Sequence, residues 1–170
     1  MAVTTKYAVK DVVDLKFYEL TEGVKSELPS MEIDYLNSCQ LTLESETVYA
    51  TAKGNNFISF GGSRTGTFTM SAQVITMEFL AMMLGGTYTQ GENKIKVTGD
   101  IPSKSYYIEG TFNMVDQSGQ KALKKLVLSK CTPQASTDLT LSATEVGEFQ
   151  LVMDILVDDT NTLLTLEASA

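Results

Sequence analysis

The side chains that ordinarily do chemistry are scarce in this sequence, and their spacing limits what they can do. There is no histidine among the 170 residues, which removes Ser/His/Asp and Cys/His catalysis and histidine-ligated zinc or iron. Two cysteines, Cys39 and Cys131, are too few for a Cys₄ zinc site. Both sit beside strand-like sequence and read as small core or edge residues, kept reduced as in a cytosol. Asp154, Asp158 and Asp159 suggest a divalent cation, but the alternating oxygen ligands and central glycine of a calcium loop are missing. Asp158-Asp159-Thr160-Asn161 reads instead as a hairpin turn. Gly61-Gly62-Ser63-Arg64-Thr65-Gly66 resembles a phosphate loop but lacks the Gly-Lys-Ser/Thr ending and opens a strand, so a turn is expected. An acidic chain always offers carboxylate pairs of the glycosidase kind. Here, however, no tryptophan is present to stack a sugar ring. With no constellation in view, the expectation is a protein that is not an enzyme and has no cofactor or metal.

Charge is spread unevenly. The net charge is -8. Residues 131–170 hold Asp138, Glu145, Glu148, Asp154, Asp158, Asp159 and Glu167 and no lysine or arginine, whereas residues 1–130 are nearly neutral. A nucleic-acid grip needs phosphate-neutralising cations, and this bias is the reverse. The one basic concentration is Lys121, Lys124, Lys125 and Lys130. It is either a solvated strand face that discourages edge pairing or a partner for the acidic C-terminal strands. No apolar stretch after a basic start marks a secretory signal, and the longest apolar run, Met77–Leu84 with Glu78 inside it, is too short for a span. A soluble protein made in a cytoplasm, without membrane insertion, is expected.

The elements that would carry these residues are mostly strands. Val13, Leu15 and Phe17 alternate with Asp14, Lys16 and Tyr18, which predicts a half-buried strand near 11–20. Residues 21–30 form a polar connection. An extended stretch runs over 40–53, Gly54-Asn55-Asn56 is a turn signal, and Phe57-Ile58-Ser59-Phe60 begins the return. Gly61-Gly62-Ser63 then breaks the run. Thr65, Thr67, Thr69 and Ser71 alternate with Gly66, Phe68, Met70 and Ala72, giving a strand with one hydroxyl-rich face. The period turns helical over 74–84, and Gly85-Gly86 stops it. Gly91-Glu92-Asn93 reads as a turn after a short strand at 87–89. Further strands are expected near 94–98, 104–115, 121–130, 138–142, 147–157 and 162–168, with a single helical turn capped at Ser142–Glu145. The fold class is mainly β, a sandwich or small barrel with one short flanking helix, in a single domain over 1–170.

That helix is apolar all round apart from Glu78. Either the sheet and long loops cover it, or part of it, Phe79, Met82 and Met83 foremost, meets another subunit.

The order of segments resembles the major tail (tail tube) proteins of tailed bacteriophages. The resemblance rests on 54–70 (Gly-Asn-Asn-Phe-Ile-Ser-Phe-Gly-Gly-Ser-Arg-Thr-Gly-Thr-Phe-Thr-Met) leading into the apolar helix Ile75–Gly86. It continues through Lys124–Lys130, Leu139–Glu145 and Gly147–Leu156, and spans about 38–168. Ser129 departs from it, standing where many relatives have proline. The resemblance implies a tube-type β-sandwich or barrel with an N-terminal arm and loop over about 1–30. Six copies would form a ring whose sheets join into a channel. Rings would stack through a loop near 46–56, for which Glu46, Thr47, Tyr49, Lys53, Asn55 and Asn56 are the candidates. The partners are then other copies of the chain and other tail proteins, in a virion tail assembled in the host cytoplasm. DNA passes without specific binding, and Glu148 and Asp154 are candidate acidic residues of the channel or an interface. At physiological salt the Debye length is about 8 Å, so wall carboxylates would repel DNA only near contact. Two alternatives stand beside this expectation. One is the tube protein of a contractile injection or type VI-like system. The other is a β-sandwich binding module decorating a virion.

Overall fold

The computed structural model describes residues 7–99, 104–134 and 147–168. The strand expected at 138–142 and the turn at Ser142–Glu145 lie outside them.

Alternation over the first segment produces β1 (Tyr7–Thr21), which buries Leu15 and Phe17 on one face. Glu22 and Gly23, at φ 51° and 79°, turn the chain tightly into the two-residue β2 (Val24–Lys25). β3 (Met31–Ile33) then pairs with the same edge of β1 and buries Met31 and Ile33. The polar connection 21–30 is thus partly a hairpin rather than a free loop.

β4 (Ser38–Ala52) and β5 (Asn55–Ala72) make one long antiparallel hairpin. Its turn is Lys53-Gly54, at φ 51° and 79°, the left-handed pair that matches strand twist in a two-residue turn. Asn55 and Asn56 already belong to the returning strand. Gly61-Gly62-Ser63 does not end the strand as the sequence suggests. The register shifts there, between Ser45 and Thr47 on the facing strand, so the glycines form a bulge inside a continuous element.

Helix α1 (Met77–Met83) begins where the Thr76 side chain accepts the Phe79 N–H at 3.2 Å. Gly85 and Gly86 end it, donating to the carbonyls of Met82 and Ala81 at 3.2 and 2.8 Å, the paired bonds of a Schellman stop. A small hairpin of β6 (Thr87–Thr89) and β7 (Lys94–Lys96) follows, joined by a 3₁₀ turn over Gln90–Glu92.

β8 (Ser105–Asp116) pairs with β1 on one edge and β9 (Lys121–Pro133) on the other. β9 is the strand that divides the sheet. Its Lys124–Leu128 portion pairs with β11 (Leu164–Ala168), whereas Cys131–Pro133 pairs with β10 (Phe149–Ile155). β10 in turn pairs with β5 from Gly66 to Ala72. Two layers follow, one running β2-β1-β8-β9-β11 and the other β9-β10-β5-β4. A bulge in the β8 to β9 register between Tyr106 and Ile108 lies where the strand passes between layers. The fold is mainly β, in keeping with the expected sandwich.

Between the layers sit Leu15, Phe17, Phe68, Met70, Ile108, Leu128, Cys131 and Met153, all nearly fully buried. Phe79 and Met83 of α1 join this core. Among the described residues no buried side-chain nitrogen or oxygen lacks a partner. Even buried Ser71 shares a 2.7 Å hydroxyl contact with Ser38.

Candidate assembly interface

The hairpin β4–β5 is longer than the body that holds it. Only its root pairs with β10, from Gly66 onward. Every residue of 44–65 whose side chain is described is exposed, so this portion is an arm rather than a core element. Register places Val48 opposite Phe60 and Ala50 opposite Ile58. Directly paired residues share a face, so these four make one apolar stripe. Val48, Ile58 and Phe60 are 56%, 49% and 56% exposed. Fully burying such a side chain contributes roughly 1.5–3 kcal/mol; an arm that leaves them wet forgoes most of that.

The bulge in the arm depends on Gly62. A Cβ there would lie 2.5 Å from the backbone oxygen of Glu46, a distance that no real side chain tolerates. At Gly61 the same atom would meet nothing within 4 Å.

The six residues expected to form a stacking loop all lie in this arm. Thr47 pairs with Gly61 and Tyr49 with Ser59, Lys53 sits in the turn, and Asn55 and Asn56 pair with Ala52 and Thr51. Glu46 is the exposed residue facing the bulge. The side chain of Asn56 lies outside the described residues. The expected hairpin is present as a paired ribbon, with its turn at Lys53-Gly54 and not at 54–56.

The helix candidates are not brought together on a surface. Phe79 and Met83 point into the chain's own core at 0% and 2% exposure, while Met82 packs against that core only in part. Of the two outcomes posed for the all-apolar helix, coverage by the sheet accounts for Phe79 and Met83.

Gln150, Val152 and Asp154 share one face of β10 by period-two spacing, whereas Glu148 lies just before the strand and is exposed. Asp154 pairs with Thr67 and Thr132, and its carboxylate accepts the Gln134 amide at 2.8 Å. That outward face continues over Thr69, Thr42 and Gln40, which pair across β5 and β4. It is rich in hydroxyls and carries the Asp154 carboxylate, and Lys130, two residues before Thr132 on β9, belongs to it as well. The other lysines of the basic concentration lie further along β9. Lys125 reaches Glu109 at 3.2 Å and Glu167 of β11 at 3.8 Å, so part of it does meet the acidic C-terminal strand within one chain.

Among the described residues β4 pairs only with β5 and β11 only with β9. Among the described residues each layer therefore ends in an edge whose backbone donors and acceptors have no strand partner. Between these edges lies an apolar cleft of about 350 Å³, lined by Cys39, Leu41, Phe68, Phe112, Leu126 and Leu166. Leu166 at its rim is 61% exposed. Burial raises the Cys39 thiol pKa and pushes that of Cys131 up to about 12, so both are held as thiols. A wider cleft of about 810 Å³ lies at the root of the arm, beside Leu43, Arg64, Ile155 and Leu163.

The apolar stripe and the cleft are absent from the sequence-based list of candidates. A signal for the stripe exists, because 48, 50, 58 and 60 are apolar at period two on either side of the 53–54 turn. No such signal exists for the cleft, whose lining comes from six strands.

Among the described residues no group of three or more Cys, Asp or Glu side chains is placed to hold a metal ion. No helix among them is long and apolar enough to cross a membrane.

No protein-family model matches the chain, and no curated protein does so at a significant level. Solved structures of similar layout include the anti-feeding prophage baseplate, at TM-score 0.45 and 11% identity, covering 99% of this chain and 96% of that one. The anti-feeding prophage tube-terminating cap is similar at TM-score 0.46 and 14% identity, covering 99% and 100%. The extended sheath–tube complex of an extracellular contractile injection system, PVC, is similar at TM-score 0.43 and 12% identity, covering 94% and 91%. Scores below 0.5 describe the run of the chain and carry no functional argument.

Proposed function

We propose that this chain is a structural subunit that assembles with copies of itself into the tube of a phage-tail-like particle. The observation that carries this reading is the pair of open sheet edges combined with the protruding apolar arm. Each leaves groups that stabilise only when covered by another chain. Assembly into rings, six-membered as the tail-tube resemblance implies, would set these edges against neighbouring copies. Stacking of rings would cover the arm. The hydroxyl-rich face with Asp154 then lines the channel, with Glu148 at its end.

Two settings require the same subunit: a DNA-conducting phage tail and a contractile injection particle. A sheath around native tubes would mark the contractile setting, and its absence the other. In either, the chain acts by ordered polymerisation and not by turnover.

Negative-stain microscopy and light scattering of concentrated purified protein test the reading. Hollow tubes or rings are expected. A monodisperse monomer at high concentration would sink it and favour a binding module.

A further inference from the structure

We infer that the apolar cleft between β4 and β11 is the seat for the arm tip of a second copy, which enters with Ile58 and Phe60. This rests on the assembly reading above and names the two surfaces that meet.

The chain carries an apolar stripe and an apolar cleft, and it cannot bring them together by itself. Cys39 and Leu41 of the cleft lie at the root of the same hairpin whose far end bears Val48, Ile58 and Phe60. At roughly 3.3 Å per strand residue, the tip stands about 20 Å or more beyond the root. Continuous pairing from Ser38 to Ala52 keeps the hairpin from folding back on itself. The faces are also opposed. The register shift between Ser45 and Thr47 skips one residue on β4 and two on β5. The added residue is therefore on β5, and β4 alternates without interruption. Val48 and Ala50 thus share the face of Gln40 and Thr42, not that of Leu41 and Leu43. An arm tip seated in this cleft therefore comes from another molecule.

A second copy fits in chemistry and in backbone. The cleft is flanked by the open edges of β4 and β11, so an extended strand entering it would find unpaired donors and acceptors on its flanks. The arm offers such a strand. β10 pairs with β5 only from Gly66, which leaves the outer edge of 55–64 without a partner among the described residues. The entering side chains, Ile58 and Phe60, are apolar, as is the lining they would meet. Because stripe and cleft are different parts of the chain, the proposed contact runs head-to-tail from copy to copy, and a ladder longer than a dimer distinguishes it from a reciprocal exchange of arms between two copies.

Cys39 makes the contact measurable. It lines the cleft, and the other cysteine, Cys131, is fully buried. In the Phe60→Cys chain, mild oxidation at assembling concentration is expected to give a ladder of disulfide-linked oligomers. Adding Cys39→Ser should abolish it. A change to aspartate at the exposed rim, Leu166→Asp, should raise the concentration needed for assembly at least tenfold while leaving the circular dichroism spectrum unchanged. Rings or tubes that form with no Cys39 link would overturn this inference and leave the assembly reading standing. A chain that never assembles would overturn both. A link closed within one molecule, or covalent dimers with nothing larger, would also overturn it.

Discussion

The ammonium of Lys25 lies 2.7 Å from the Glu109 carboxylate and 3.8 Å from the centre of the Tyr18 ring. Tyr107 faces the same ammonium at 4.5 Å. Lys25 belongs to the two-residue β2, which has only two register pairs of its own. A strand that short holds little by backbone pairing, so this cluster fastens the 21–30 segment to β8. Glu109 is 17% exposed and also receives Lys125 at 3.2 Å, which ties three strands through one carboxylate.

Glu109→Gln is expected to lower stability by about 1 kcal/mol, the discounted value of partly exposed charged hydrogen bonds. Burial, the largest influence, pushes the Glu109 pKa up, but hydrogen bonds and charge from Lys25 and Lys125 overcome it and leave it below the ordinary 4.5. A depressed folded value means this contribution is full above that pH and is lost as pH falls through the folded pKa. Urea midpoints from pH 7 to pH 3 should therefore converge between wild type and variant at the acid end. A double-mutant cycle with Lys25→Met should show positive coupling.

Phe79→Ala should lower the stability of the dilute monomer by about 3–5 kcal/mol, since its ring is wholly within the core. Urea unfolding at non-assembling concentration measures this. An unchanged monomer with weakened assembly would instead mean that the helix serves a neighbour.

Gly62→Ala should impair assembly while leaving the body folded. The new methyl meets the Glu46 carbonyl and must distort the arm, at a local cost of about 1–3 kcal/mol. Gly61→Ala meets nothing and should assemble as wild type does. Comparing the two by sedimentation separates arm geometry from any general effect of removing glycine.

Asp158 should titrate near 2. The Thr160 hydroxyl donates to its carboxylate at 2.6 Å, and the Thr162 and Thr160 amides each donate at 2.9 Å, which together take the pKa down to about 2. Its contribution to the turn is present above the ordinary 3.8 and fades as pH falls through 2. Carboxyl NMR shifts followed against pH check this, and the amide shifts of Thr160 and Thr162 should move with the same midpoint.

Much of the local structure is legible in the sequence. The helix of 77–83 lies inside the expected 74–84 because Thr76 caps it and Gly85-Gly86 stop it. The Asp158–Asn161 turn is where a short polar side chain bonds its own backbone. Other features are not legible, for a common reason. Gly61-Gly62-Ser63 looks like a strand end because glycine weakens strands in isolation, yet the facing Glu46 makes it a bulge. Phe79 and Met83 look like surface for a neighbour because a helix apolar all round gives no sign of which side is covered.

By itself the sequence determined a β-rich chain, several of its turns, a short helix, and the lack of histidine. These follow from neighbours along the chain, whose spacing and backbone preferences act over a few residues. The tertiary structure alone decided that β9 serves both layers and that, among the described residues, β4 and β11 each have a single strand partner. It also set the tip of the arm apart from the cleft. Such facts depend on which distant strands pair, and pairing is chosen by the whole core at once.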